Sequence, residues 1–223
     1  MATASPITQQ VRSSVTLPPT PESQIHSDSD FDISDVEDCL IFNRNGACTT
    51  FKSLFQHQKA IIIFVRNFLC YTCKEYVEDL SRIPQEVLSN ADVRLVVIGQ
   101  SCSSHIEAFC LLTGYRHEIY VDPERHIYKK LGLRRGETYT DTATPSPHVK
   151  SSLLVGSMKS MWRAMTSPAF DFQGDPLQLG GAFIIGPGPI VHFAHYDNNR
   201  FNHTPINCLL ELAGVQKVDF NKR

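Results

Sequence analysis

Two cysteines with two residues between them, Cys70 and Cys73, are the side chains of this chain best suited to chemistry. They follow an unbroken apolar run, Ala60 to Val65, and a short bend, Arg66 to Leu69. After them Cys73, Tyr76, Val77 and Leu80 recur at three- and four-residue intervals, with Lys74, Glu75, Glu78, Asp79 and Arg82 on the other side. The apolar run predicts a strand covered on both faces, and the recurrence predicts an amphipathic helix. A thiol on the first turn of a helix faces unpaired backbone N–H groups and the positive end of the macrodipole. Its pKa can fall from about 8.5 to roughly 3.5–7.5, and the thiolate is the nucleophile. Cys70 is therefore expected at or near the N-cap and Cys73 one turn inside, close enough to form a disulfide. Arg66, Asn67 and Lys74 flank the pair as supporting residues. Cations at a helix N-terminus cost roughly 0.3–1 kcal/mol. A thiolate facing Arg66 and Lys74 would account for them, and solvated surface charge is the competing reading.

The elements that must position this pair are framed by composition. At 223 residues, 25.1 kDa and 42% apolar side chains, the chain can hold one domain of generous size and a tail. The longest apolar runs fall short of the roughly 18 residues a membrane span needs, so no span is expected. The N-terminus has no apolar signal region, which predicts an intracellular, cytoplasmic protein. Seven cysteines in that setting argue for catalytic, redox-sensing or metal-binding thiols rather than a disulfide scaffold. Residues 1–38 carry seven acidic side chains against Arg12 alone and few large apolar ones, so they are expected to be a disordered acidic tail. Ser27, Ser29, Ser34 and Thr20-Pro21 offer phosphate-accepting sites there, and the tail is a candidate contact for a signalling protein. The remaining charge balance is too mild to suggest a nucleic-acid surface.

From Cys39 the pattern alternates. A short strand at Cys39–Asn43 is followed by the Asn45-Gly46 turn and a helical turn from Thr50 to Phe55. Beyond the thiol helix, Pro84 kinks it or opens a further turn, and 93–99 is a second buried strand. A helix carrying Ile106, Phe109, Cys110 and Leu111 closes at Gly114; Glu118–Val121 is a third strand, and Asp122-Pro123 starts a helix ending at Gly132. Strand and helix in alternation imply a parallel sheet layered with helices. A polar loop over about 133–150 precedes a helix at Leu153–Met165. Its Met158, Met161, Trp162 and Met165 stripe reads as core or, less often, as the wall of an apolar groove. A hairpin, 182–186 and 190–195 around Pro187-Gly188-Pro189, and a helix opened by Thr204-Pro205 complete the chain.

Parallel strands around a Cys-x-x-Cys helix, then a hairpin and a C-terminal helix, are the plan of the thioredoxin-like fold: α/β, a central mixed sheet flanked by helices. To it are added an N-terminal strand extension and an inserted loop and helix before the hairpin. The segments FVRNFLCYTCKEYVEDL, EIYVDPERHIYKKLGL, FDFQGDP, GGAFIIGPG and FNHTPIN resemble the peroxiredoxin-like 2 family over about residue 39 to the end. The resemblance implies a thioredoxin-like domain over 39–223 with a redox-active Cys70/Cys73 pair. It further implies thiol-dependent reduction of peroxide-type substrates, a lipid endoperoxide in one branch. The chain departs from the Pro-x-x-x-Thr-x-x-Cys motif of true peroxiredoxins. Counted from Cys73 the two motif positions are Arg66 and Cys70; counted from Cys70 they are Ile63 and Asn67. Gly180-Gly181 also stand before Ala182, where thioredoxins carry a cis-proline.

Two functions follow. In the first, the chain is a thiol oxidoreductase: Cys70 attacks an O–O or S–S bond, Cys73 resolves the product as a disulfide, and an external thioredoxin or glutathione system reduces it. No bound cofactor and no metal is expected, the partners being that thiol reductant and a small peroxide or disulfide. In the second, the chain is a non-enzymatic, redox-responsive regulatory or interaction protein on the same scaffold, in signalling or metabolism. Zinc is disfavoured because no second Cys or His pair stands at ligand spacing. His126, His148 and His203 read as surface histidines. Asp171 and Asp175 read as turn caps that could approach the site, and Cys102 as an ordinary thiol with a resolving role only as a minor option.

Overall fold

The computed structural model describes residues 32–137, 146–150 and 174–220. Most of the expected acidic tail and the whole helix expected at 153–165 lie outside the described residues, as does Asp171. Strands form at β1 (Leu40–Phe42), β2 (Cys48–Thr50), β3 (Lys59–Phe64), β4 (Val93–Gly99), β5 (Glu118–Val121), β6 (Gly181–Ile185) and β7 (Val191–Tyr196). Helices form at α1 (Tyr71–Leu80), α2 (Gln85–Asn90), α3 (Ile106–Thr113), α4 (His126–Lys130) and α5 (Ile206–Ala213). The strands make one mixed sheet in the order β2-β1-β5-β4-β3-β6-β7. This is the thioredoxin-like arrangement expected from the sequence: β3, β4 and β5 run parallel at the centre, and β6 pairs antiparallel with β3. The unbroken apolar composition of β3 and β4 follows from burial on both faces, since helices and loops cover each side.

One core layer joins the sheet to α1, α3 and α5 through Ile61, Val77, Val97, Phe109, Ala182 and Leu210. The opposite layer packs Phe51, Leu54, Tyr128 and Ile127 on Ile62, Val96 and Phe183. Ile33 and Val36 enter that second layer, Val36 fully enclosed, so the packing reaches back to Ile33, inside the stretch expected to be tail. A 3-10 turn at Ile33–Asp35, capped by Asp32 accepting from the Ser34 N–H, supplies the shape that a composition rich in Asp and Ser concealed.

Two corrections concern polar residues. Glu75 and Asp79, expected on the solvent side of α1, are buried because residues 146–150 lie over them. The Lys150 N–H donates to Glu75 Oε2 (2.6 Å), Lys150 Nζ reaches Asp79 Oδ1 (2.6 Å), and His148 Nδ1 sits 2.9 Å from Asp79 Oδ2. His148 and His203, expected at the surface, are buried. The first is fixed between Asp79 and the Ile206 N–H, and the second against Asp197 at 2.8 Å.

Glycine makes the crowding near the end of β3 possible. A Cβ on Gly180 would stand 2.0 Å from the Phe64 carbonyl oxygen, a backbone atom that cannot swing away. Overpacking of this kind costs typically about 1–3 kcal/mol. Gly180→Ala is therefore expected to lower the unfolding free energy by at least that much, read from urea unfolding midpoints at unchanged m-value. An alanine variant as stable as the parent would show that the approach of β6 to β3 tolerates a side chain.

Candidate active site

In an open α/β sheet the loops at the carboxyl ends of the parallel strands converge, and ligands bind there. Here the loop after β3 carries Arg66 to Cys70, the loop after β4 carries Gln100, and residues 174–180 arrive from the other side to enter β6. The bend after β3 is pinned by Phe68, which stacks on Phe109 with ring centroids 4.3 Å apart. The ring occupies the space a Cβ on Gly99 would need. The Asn67 side chain accepts from the Leu69 N–H (3.1 Å), and its carbonyl accepts from the Cys70 N–H (3.2 Å). Asn67 thus acts on the pair by shaping the bend that leads into it. Cys70 is the N-cap of α1, in an extended conformation with no side-chain cap bond, and Cys73 lies in the first turn.

The two sulfurs have different surroundings. Cys70 keeps 8% of its surface exposed, whereas Cys73 keeps none. Cys70 Sγ lies 3.0 Å from Thr72 Oγ1 and receives Arg66 Nη1 at 3.7 Å. Cys73 Sγ accepts the Arg66 backbone N–H at 3.4 Å. Donation from the Cys73 thiol holds the Cys70 sulfur well below the ordinary thiol range against the opposing effect of burial, with the Arg66 charge and Thr72 acting in the same direction. Burial pushes the Cys73 thiol well up, and its role as donor to Cys70 adds to that. The two sulfurs are thus driven apart, Cys70 toward the thiolate and Cys73 toward the thiol, with Cys70 the less enclosed of the two.

Arg66 is itself buried. Its Nη2 donates to the Pro176 carbonyl (2.7 Å), its Nε to the Gln178 carbonyl (3.3 Å), and Nη1 also lies 3.5 Å from Glu137 Oε1. Gln100 Nε2 bonds the Arg66 carbonyl, joining the β4 loop to the same knot. Lys74, expected to face the thiolate, is directed elsewhere: its ammonium pairs with Glu78 one turn along α1. Lys74 stands in the first turn, but its side chain runs along the helix to the nearest carboxylate, an i,i+4 pairing that spacing alone favours. Gln100, Pro176 and Gln178 are not among the site residues expected from the sequence; Pro176 closes the FDFQGDP segment, and nothing local marks Gln100 or Gln178. Asp175 does cap a turn, as expected, its Oδ1 accepting the Leu177 N–H at 2.9 Å.

A polar cavity of about 560 Å³ lies at the far end of the sheet, bordered by Arg44, Ser89, Val93, Arg116 and Glu118, and is separate from the thiols. Among the described residues no helix is long and apolar enough to cross a membrane.

A thioredoxin-like sheet with paired thiols at the start of the helix after its central strand defines a peroxiredoxin-type scaffold, and comparison with known proteins agrees. The family model described as "AhpC/TSA antioxidant enzyme" matches residues 79–199, a span that begins after both thiols. "Peroxiredoxin-like 2C" of Takifugu rubripes is 59% identical over 99% of this chain and 96% of its own. The protein of the same name from Homo sapiens is 52% identical over 100% of this chain and 97% of its own. The solved peroxidoxin BcpB of Mycobacterium tuberculosis shares the fold, with a TM-score of 0.52 at 8% identity, over 78% of this chain and 88% of that one. The chain belongs to the AhpC/TSA antioxidant enzyme family, in the peroxiredoxin-like group. Family and fold support the thiol-oxidoreductase class.

The unequal sulfurs give an expected titration. Iodoacetamide alkylation of the native protein, resolved by peptide mass, should label Cys70 with a pH midpoint below the roughly 8.5 of a free thiol and Cys73 only above it. Lys74→Ala should leave both midpoints where they are. Equal midpoints for the two sulfurs would contradict the geometry.

Proposed function

We propose that the protein is a thiol-dependent oxidoreductase that reduces a peroxide-type substrate, with Cys70 as nucleophile and Cys73 as resolving thiol. The observation that carries this reading is the placement of the Cys70 sulfur at the N-cap of α1, 3.7 Å from a buried guanidinium, with the fully enclosed Cys73 one turn further on. The helix N-terminus and Arg66 favour the thiolate there, and Cys70, though buried, is the less enclosed residue of the pair, 8% exposed against none for Cys73.

The Cys70 thiolate attacks the outer oxygen of R–O–O–H. The O–O bond breaks, the alkoxide leaves and takes up a proton as the alcohol, and Cys70 becomes a sulfenic acid. The Cys73 sulfur then attacks Cys70 Sγ; the S–O bond breaks, the hydroxyl leaves with the Cys73 proton as water, and a Cys70–Cys73 disulfide forms. An external thiol system, one thioredoxin dithiol or two glutathione thiols that leave as their own disulfide, supplies the two electrons that restore both thiols. No bound cofactor enters the cycle. Such a cycle belongs in a reducing compartment such as the cytoplasm, where the pair is returned to the thiol form between turnovers. Until the sulfenic acid forms, the protonated Cys73 thiol donates to the Cys70 sulfur, and part of its upward shift comes from that neighbouring charge, which oxidation of Cys70 removes.

The test is coupled turnover. With hydrogen peroxide and a thioredoxin system, Cys70→Ser should abolish reductant consumption. Cys73→Ser should stop after one equivalent with Cys70 trapped as sulfenic acid or mixed disulfide, and Cys102→Ser should retain full activity. Normal turnover by Cys70→Ser would show that another thiol is the nucleophile, and if the wild-type protein takes up no oxidising equivalents the enzyme reading is lost. The alternative, a non-enzymatic regulatory or interaction protein on the same scaffold, then becomes the better account.

A further inference from the structure

The seven residues Gly174–Gly180 do more than lead into β6. Asp175 makes a turn in which its Oδ1 accepts the Leu177 N–H (2.9 Å) and its carbonyl accepts the Gln178 N–H (3.1 Å). That turn presents the carbonyls of Pro176 and Gln178, and these are the two oxygens that take Arg66 Nη2 and Nε. With those two donors committed, Nη1 is left between Cys70 Sγ at 3.7 Å and Glu137 Oε1 at 3.5 Å. The turn is anchored from outside by Asp175 Oδ2, which accepts from Arg125 Nη1 and Arg135 Nε, each at 2.7 Å. It is tied from beneath by Gln100. The Asp175 N–H donates to Gln100 Oε1 (2.9 Å), and Gln100 Nε2 donates both to the Asp175 carbonyl (2.9 Å) and to the Arg66 carbonyl.

We propose that Asp175 is a positioning residue for the thiolate: through the Asp175–Gln178 turn it aims the Arg66 guanidinium at Cys70. This rests on the reading of Cys70 as the nucleophile, and it assigns a role that Asp175 has by geometry rather than by contact with the sulfur. The carboxylate is buried between two arginines. The turn it stabilises is the shared surface through which the β4 loop, the α4 start and the β6 entry act on one cation. Arg125 belongs to the same device, since its Nη1 also approaches Gln178 Oε1 at 3.4 Å and the Gln178 amide fixes the turn to the carbonyls of Leu133 and Arg134.

The sign of the effect separates this role from a simple charge effect. Removing a carboxylate near a thiolate, with nothing else changed, lowers the thiol pKa, because a repulsion is lost. Loss of aim moves it the other way. Asp175→Asn is expected to raise the Cys70 alkylation midpoint by about one pH unit, equivalent to about tenfold less thiolate at a pH well below it. Arg66→Gln should raise it by at least as much. The double variant should match Arg66→Gln alone, because without the guanidinium there is nothing to aim. Arg125→Lys, which keeps the charge but not the forked geometry, should give an intermediate rise. The readout is the titration of Cys70 in the full-length protein under non-oxidising conditions, so it does not depend on peroxide turnover. Failure of the peroxidase assay with these shifts intact would count against the enzyme reading alone. Thermal unfolding of each variant identifies any that lose the fold, and Asn at 175 retains the Leu177 cap through its side-chain oxygen. A fall in the midpoint, no change, or an equal rise in the Arg66→Gln background would each overturn the positioning role.

Discussion

One buried guanidinium organises the thiol end of this molecule. Taking a cation out of water is costly unless its donors are satisfied and its charge is met. Arg66 meets both demands by drawing in groups from distant parts of the chain: carbonyls of residues 176 and 178, the carboxylate of Glu137 and the sulfur of Cys70. Because Glu137 also takes the Arg200 guanidinium in a two-point pairing, its negative charge is shared, and the anion left closest to Nη1 without a second cation is the Cys70 thiolate. The Cys70 thiol is pulled down first by donation from Cys73 and then by the Arg66 charge, so the burial of Arg66 and the state of Cys70 are linked. Each ion makes the other tolerable in a site that water barely enters.

The sheet makes that interaction available. Parallel pairing of β3 with β4 places the Arg66 bend beside the Gln100 loop, and antiparallel pairing of β3 with β6 brings the 174–180 turn to the same edge. Two glycines make the close approaches possible, Gly99 under the Phe68 ring and Gly180 over the Phe64 carbonyl. The Tyr128 hydroxyl donates toward the carbonyls of Val65 and Ile98 at 2.7 and 2.8 Å, bracing the ends of the two central strands immediately before the bend. On the far side of α1, the pairing of His148 and Lys150 with Asp79 holds the helix whose N-terminus carries the sulfurs. The thiols thus sit at a junction braced from the sheet, from the second helix layer and from the segment over α1.

Local periodicity and turn chemistry carry much of this arrangement. The buried strands, the thiol helix starting at Cys70, the closing glycines at 114 and 132 and the final hairpin are all legible in the amino-acid sequence, and they fall within a residue or two of their expected places. The nearness of Arg66 to Cys70 is legible as well, because four residues across a tight bend leave few alternatives. What stays hidden depends on pairing across long stretches of chain. Glu75 and Asp79 look solvated on a helical wheel, and only a segment about seventy residues away reveals that their charges are covered and matched. Lys74 looks like a thiolate partner until Glu78 is seen to hold it. Asp175 stands in the FDFQGDP segment and reads as a turn cap, but Gln100 and Gln178 carry no motif; what all three do is a matter of carbonyl direction, which residue type does not encode.

The departures from the peroxiredoxin motif acquire a physical meaning in this setting. Counted from Cys73, the motif's proline position is Arg66, and a proline has no N–H to give. Here that N–H is used, donated to Cys73 Sγ at 3.4 Å, while the side chain of the same residue reaches Cys70. The motif's threonine position is Cys70 itself, and the hydroxyl beside its sulfur comes instead from Thr72, on the other side of the N-cap. The functional groups that favour a thiolate, a cation, a hydroxyl and a helix N-terminus, are all present but are arranged around the first cysteine of the pair rather than the second. A residue whose backbone serves one sulfur and whose side chain serves the other keeps the two from becoming equivalent: the N–H contact cannot move without moving the guanidinium. On the proposed reading, the order of reaction, Cys70 as nucleophile and Cys73 as resolving thiol, would be set by the bend between β3 and α1.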